Sequence, residues 1–165
     1  MSEQTVKVYI EIPERSSVKY ELDEKSGQLV IDRLMPTAMT YPVNYGLVQE
    51  TLGEDGDAVD ALVFISQTVV PGSIIKCKLI GLLEMEDEEG IDHKLVCVPA
   101  STKIDPLCGS WNSLSDIPES RKNEIRHFFE HYKDLEPEKW VKLKEWQGVP
   151  AAQKVLEAGK KRFGR

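Results

Sequence analysis

The sequence predicts a mainly β fold of the α+β kind, a small β-barrel or curled sheet with C-terminal helices packed on it. Three observations carry that prediction. Residues 6–12 alternate strictly between apolar and polar. Short apolar runs punctuated by Gly, Pro and acidic turns continue to about residue 98. Helical spacing appears only after Pro118.

The elements follow in order. In Val6-Lys7-Val8-Tyr9-Ile10-Glu11-Ile12 the four aliphatic residues share one face, which makes a half-buried strand ending at Pro13. Lys19-Tyr20-Glu21-Leu22 and Leu29-Val30-Ile31 flank the turn-forming Asp23-Glu24-Lys25-Ser26-Gly27 and predict a hairpin with Lys19 and Glu21 on one face. Further strands are expected at 61–65, at 74–83 after the Pro71-Gly72 turn, and at 94–98 before Pro99. Ile125, Phe128, Phe129 and Tyr132 fall at i, i+3, i+4 and i+7 behind Asp116 and Pro118, which is a helix, and a second helix is expected after Pro150. No repeat or linker interrupts the chain, so residues 1–165 are read as one domain.

Composition narrows the function. With 165 residues and 41% hydrophobic content, a core forms without staples. Cys77, Cys97 and Cys108 are an odd number without a CxxC pair, which excludes a disulfide framework or zinc ribbon and leaves Cys77 and Cys97 as buried thiols. A net charge of -7 excludes a general nucleic-acid surface. No window reaches the roughly 20 apolar residues of a membrane span. The start, Met1-Ser2-Glu3-Gln4, has no signal-peptide pattern, so the expected setting is cytoplasmic.

The chemistry is expected at two acidic segments. Asp55, Asp57 and Asp60 lie within six residues ahead of the apolar Ala61-Leu62-Val63-Phe64-Ile65. In a straight strand Asp60 would face away from the other two, but Gly56 permits a bend that lets all three converge. Converging carboxylates repel, and a hard, oxygen-seeking divalent cation such as Mg²⁺ removes that repulsion. Alone, the cluster reads as a solvated turn. The second segment, 84–92, adds Glu84, Glu86, Asp87, Glu88, Glu89 and Asp92, with Gly90 at a hairpin tip expected to set Asp87 across from Asp92. Two acidic loops aimed at one place make a site for several metals. An EF-hand is excluded because positions six and twelve counted from Asp55 are Asp60 and Ser66 rather than Gly and Glu. No Walker A or GxGxxG motif is present, and Lys19, Arg33, Lys94, Tyr41 and Tyr45 are the available donors for phosphate oxygens.

Together these segments resemble the soluble family I inorganic pyrophosphatases of the short prokaryotic type, over nearly the whole chain. The resemblance is carried by Ile10-Glu11-Ile12-Pro13, Lys19-Tyr20-Glu21, Asp32-Arg33, Thr37-Ala38-Met39, Tyr41-Pro42-Val43-Asn44-Tyr45-Gly46, the 55–60 cluster, Asp87-Glu88 with Asp92 and Lys94, and the run from His127 through Lys133 to Lys139-Trp140-Val141-Lys142. It implies a five-stranded OB-like β-barrel and hydrolysis of inorganic diphosphate to two phosphates with several Mg²⁺ ions per active site. Metal ligands would be Asp55, Asp60, Asp87 and Asp92, and Asp57 would be the general base. Lys19, Arg33, Tyr45, Tyr132 and Lys133 would contact substrate, with Glu11, Glu21, Tyr41, Glu88 and Lys94 in support. By the same resemblance the protein is a homo-oligomer, commonly a hexamer, with inorganic pyrophosphate as its partner molecule. In two-metal catalysis, ions held by Asp55, Asp60 and Asp92 would acidify a shared water in line with phosphorus, and Asp57 would receive its proton.

The chain departs from the family pattern twice. Ala58 stands where proline is usual, which frees a φ that proline would fix. Only residues 1–5 precede the first strand, where relatives carry a longer segment. Two other readings compete. His127-Phe128-Phe129-Glu130-His131 matches the H-x-x-E-H pattern of zinc metallopeptidases, but a third ligand must come from the 34 residues after His131. Packing or subunit contact is the expected role of both histidines. A nonenzymatic OB-type binding module would present a basic or aromatic face. Here the face is acidic, and Trp111, Trp140 and Trp146 are expected in core packing and loop anchoring.

Overall fold

The apolar alternation at the start becomes the first strand of a closed barrel in the computed structural model, which describes residues 5–164. Met1-Ser2-Glu3-Gln4, on which the absence of a signal peptide was read, lie outside the described residues, as does Arg165. The strands are β1 (Thr5–Ile12), β2 (Val18–Asp23), β3 (Gln28–Leu34), β4 (Asn44–Val48), β5 (Asp60–Val63), β6 (Ile74–Asp87), β7 (Gly90–Ile91), β8 (Lys94–Pro99) and β9 (Val141–Gln147). Two helices complete the chain, α1 (Glu119–His131) and α2 (Val149–Phe163). Every strand and helix expected from the sequence is present, β7 is the return of the hairpin expected at Gly90, and β4 and β9 are additional.

The barrel runs β1-β4-β5-β8-β6 and closes by pairing β6 with β1. Closure leaves no open edge among the five strands, which removes the template for intermolecular pairing. The β4–β1 seam is tight: a Cβ on Gly46 would stand 2.0 Å from the Tyr9 carbonyl oxygen. That glycine and the preceding Pro42 are why β4 does not read as a strand. β6 outruns its 74–83 expectation by four residues, and its far end pairs with β7 and β9. β2 and β3 form a separate two-stranded hairpin that packs on the barrel through Tyr20.

Both faces of the barrel strands are covered, so β5 reads as a continuous apolar run rather than an alternating one. Leu62 packs with Ile12, Phe64, Ile80, Val96, Phe128 and Phe129. Its neighbours Ala61 and Val63 pack with Val8, Ile10, Leu95, Ala152 and Leu156 of the other core cluster. α1 therefore covers one cluster and α2 the other. Cys77, Cys97 and Cys108 are buried free thiols, as expected for the first two.

Register then sets the chemistry. β5 and β8 are parallel with Asp60 beside Lys94, and β4 brings Tyr45 opposite Leu62. The β6–β7 hairpin differs from expectation: Gly90 pairs with Asp87 and Ile91 with Glu86. Asp92 follows the strand, its N–H bonded to the Met85 carbonyl at 2.9 Å, so Asp87 and Asp92 do not face each other across the hairpin. Glu88 and Glu89 form the tip, one residue before Gly90.

Candidate active site

One cavity of about 250 Å³ opens where the barrel mouth, the hairpin and the end of α1 meet. Glu11, Lys19, Glu21, Arg33, Tyr41, Tyr45, Asp55, Asp57, Asp60, Asp87, Glu88, Asp92, Lys94, Tyr132 and Lys133 all line it. Every site residue named from the sequence is thus brought to one place, from seven separate segments of chain. Lys139 lines it as well and was missed as a site residue. A lone lysine in the turn after a helix has no periodic signal; its only cue was its place in the family-like Lys139-Trp140-Val141-Lys142.

Lys94 is the hub. It is 1% exposed, and its Nζ donates to Asp60 Oδ2 at 2.7 Å, Asp92 Oδ2 at 2.8 Å and the Tyr45 hydroxyl at 2.8 Å. Burial alone would neutralise this ammonium, but the two carboxylates outweigh it and hold the lysine charged well above its ordinary range. Burial pushes Asp92 up, and Asp60 sharing the same ammonium adds to the rise against the pull of Lys94. A second pair lies across the cavity, where Lys133 Nζ donates to Asp87 Oδ2 at 3.0 Å and Glu88 Oε2 at 3.1 Å. Burial raises the Asp87 carboxyl, but Lys133 and the Glu89 amide outweigh that effect and hold it below the usual carboxylate range.

The 55–60 loop is different. Gly56, at φ +89°, makes the bend that the sequence required of it. The turn is closed by Gly53 N–H to the Asp57 carbonyl at 2.6 Å and by Asp57 N–H to Asp55 Oδ1 at 3.0 Å. These bonds, with Val59 N–H to Thr51 Oγ1 at 3.1 Å, order the loop without the proline that Ala58 replaces. Asp55 and Asp57 are exposed, and among the described residues neither has a Lys or Arg within ion-pair distance. Partial burial raises Asp55, and Asp57 and Asp60 push it further the same way. Glu11, deep in the wall and bonded by the Leu22 N–H at 2.8 Å, is driven up to about 7 by burial, with Asp60 and Glu21 adding to the rise.

Three tyrosines complete the wall. Burial raises Tyr41, Tyr45 and Tyr132 above the ordinary phenol value, so all three are neutral hydroxyls able to donate. Tyr41 and Tyr132 each pack on Phe128, at ring separations of 4.7 and 5.2 Å, which fixes their direction.

The donor set fits a hard cation. Ten acidic and five cationic side chains line the cavity, so bringing in a polyanion requires added positive charge. All acidic donors are oxygens, and no Cys or His is among the lining residues. Lys94 engages only Oδ2 of Asp60 and of Asp92, leaving Oδ1 of each for a metal. Among the described residues no three Asp, Glu, His or Cys side chains converge tightly enough to hold one ion by themselves. The convergence of Asp55, Asp57 and Asp60 expected from the sequence is therefore incomplete: all three line the cavity, but Asp55 and Asp57 stand on the exposed turn while Asp60 is drawn to Lys94.

The competing motif lies elsewhere. His127 and His131 are exposed on the outer face of α1 with ring centroids 4.8 Å apart, so core packing is not their role. His131 Nδ1 is engaged by Asp134 at 2.8 Å, and neither histidine lines the cavity. Trp111 packs on Phe64 and Trp146 on the same core cluster, as expected. Trp140, 47% exposed, does not.

Comparison with known proteins places this site in context. The sequence profile of the family described as inorganic pyrophosphatase matches residues 8–164. The inorganic pyrophosphatase of Aquifex pyrophilus is 49% identical over 152 residues, covering 92% of this chain and 85% of that protein. That of Gluconobacter oxydans is 51% identical over 151 residues, covering 92% and 87%. The solved structure of the Helicobacter pylori inorganic pyrophosphatase superposes with a TM-score of 0.94 at 44% identity, covering 100% of this chain and 99% of that one. The chain belongs to the inorganic pyrophosphatase family.

Proposed function

We propose that this cavity hydrolyses inorganic diphosphate to two phosphates in a Mg²⁺-dependent reaction in which Asp57 takes the proton of the attacking water. One observation carries the assignment of the base. Of the five aspartates lining the cavity, Asp60, Asp87 and Asp92 are each bound by a lysine and Asp55 Oδ1 accepts the Asp57 N–H at 3.0 Å, whereas among the described residues the Asp57 carboxylate has neither an ion pair nor a hydrogen bond. A carboxylate already committed to an ammonium is a poorer proton acceptor than one left free.

Asp55, Asp60, Asp87 and Asp92 would hold Mg²⁺, which supplies charge neutralisation and a more acidic water. The water oxygen bonds to one phosphorus, the bridging P–O bond breaks, its electron pair leaves with the second phosphate, and the water proton passes to Asp57. Lys19, Arg33, Lys133 and the Tyr45 and Tyr132 hydroxyls meet the phosphate oxygens, where charge accumulates as the bond breaks. Lys94 acts behind them by holding Asp60 and Asp92 in place. Glu11, Glu21, Tyr41 and Glu88 shape and fix the wall.

Phosphate release from pyrophosphate tests the assignment. It is expected with Mg²⁺ and absent with EDTA, and peptides with Zn²⁺ should not be cleaved. Equal release with EDTA present would overturn it. The proposal extends to a cytoplasmic homo-oligomer, a hexamer by family resemblance. It is supported by apolar side chains left exposed on the single chain, among them Ile31, Leu34, Val70 and Leu135. Sedimentation as a monomer would count against that part.

A further inference from the structure

Beyond its base the β2–β3 hairpin is tied to the barrel by Tyr20, which packs against the core, and by few polar contacts. Among the described residues, hydrogen bonds join its strands to the rest at two points: Leu22 N–H to Glu11, and the Arg33 guanidinium to Glu136. Glu136 sits in the turn immediately after Tyr132 and Lys133, with its own N–H bonded to the Lys133 carbonyl at 2.9 Å. The Arg33–Glu136 pair therefore joins the two segments that carry most of the phosphate-facing cations.

The pair belongs to a longer alternating series. Lys19 lies 3.4 Å from Asp32, Asp32 lies 3.7 Å from Arg33, Arg33 is bound to Glu136, and Glu136 Oε1 lies 3.4 Å from Lys139. Lys19, Arg33 and Lys139 line the cavity; Asp32 and Glu136 do not. The acids stand behind the cations rather than among them. Glu136 is also less exposed to solvent than a surface ion pair would be. Its side chain is only 13% exposed, and among the described residues its Oε2 and Arg33 Nε are buried without hydrogen-bond partners. Loss of the carboxylate would leave still more of the Arg33 fork unmatched.

We propose that Glu136 is a positioning residue, whose carboxylate fixes Arg33 of the hairpin and Lys139 of the loop after α1 over one cavity so that both meet the anionic substrate together. An Arg carries five N–H donors, so the bond to Glu136 leaves others for phosphate. Holding the hairpin beforehand spares the substrate the ordering cost of pulling it in. The carboxylate also offsets the mutual repulsion of the two cations before substrate arrives. This inference rests on the reading of Arg33 as a substrate contact, and its test separates the two.

KM and kcat for Mg-pyrophosphate are measured for Glu136→Gln, Arg33→Ala and the double variant, with thermal midpoints alongside. Glu136→Gln is expected to raise KM about tenfold and change kcat by less than about twofold, the signature of lost binding and positioning. In the Arg33→Ala background the same change should move KM by less than about twofold, because its main partner is gone. A raised KM in Arg33→Ala with an unchanged KM in Glu136→Gln overturns the proposal alone. An unchanged KM in Arg33→Ala overturns the substrate reading of Arg33 and the proposal with it. A lowered midpoint in Glu136→Gln without a change in KM leaves Glu136 only a structural role and also overturns it.

Discussion

The two acidic segments of the cavity have similar composition and opposite electrostatics. In the 87–92 segment Asp87, Glu88 and Asp92 are each met by a lysine, at 2.8 to 3.1 Å. In the 55–60 loop only Asp60 is met, and Asp55 and Asp57 stand exposed without a cationic partner among the described residues. The protein thus pairs most of one loop with two lysines and leaves Asp55 and Asp57 of the other to what it binds.

That contrast can be broken most severely at Lys94. Lys94→Met leaves the half-buried Asp60 and Asp92 together with no counterion, and urea unfolding in EDTA should show a loss of up to about 3 kcal/mol, the low end for breaking a buried pair. Added Mg²⁺ should restore more stability to the variant than it adds to the wild type, since the metal then replaces the lysine. Equal Mg²⁺ effects in both would mean that the two loops do not share charge.

Asp105 supplies an internal control, a buried carboxylate served by neutral donors. Burial pushes it up, but the Ser66 N–H and hydroxyl and the Leu107 and Cys108 amides outweigh burial and hold it below the ordinary value. With the folded value depressed, its stabilisation is complete above the unfolded carboxylate value of about 4 and is lost as pH falls through the folded one. Asp105→Asn should cost about 1–3 kcal/mol at pH 7. The gap from wild type should narrow below about pH 4, and Mg²⁺ should not alter it.

The smallest effect is expected behind the open loop. A Cβ on Gly159 of α2 would stand 2.8 Å from Val59 Cγ2 and 3.3 Å from Thr51 Cβ. Overpacking of about 1–3 kcal/mol, set against about 1 kcal/mol of gained helix propensity, leaves Gly159→Ala destabilised by about 1 kcal/mol. Because Val59 precedes Asp60, Mg²⁺ affinity measured by calorimetry should also fall. Unchanged affinity would show that α2 does not brace the loop.

Legibility in the sequence followed how local the cause was. β1 and α1 were plain because alternation and 3.6-residue spacing are written in consecutive residues. β4 was hidden by Gly46, whose purpose, close approach to Tyr9, depends on a strand far away in sequence. β9 exists because β6 continues past the barrel, which its apolar run through Leu83 did not announce. The site residues were legible through the family pattern, whereas the spacing of the aspartates alone favoured a solvated turn. Glu136 has no pattern at all: its role depends on Arg33, 103 positions earlier in the chain. The opposition expected between Asp87 and Asp92 failed because Asp92 lies past the last paired residue of the hairpin.

The most direct measurement pairs Mg²⁺ calorimetry with steady-state phosphate release for Asp57→Asn. If the uncommitted carboxylate of the open loop is the proton acceptor, the variant should bind Mg²⁺ within a few-fold of wild type while its rate falls by about 10²–10⁴. Wild-type turnover in that variant, or a rate loss fully reversed by raising Mg²⁺, would contradict the assignment.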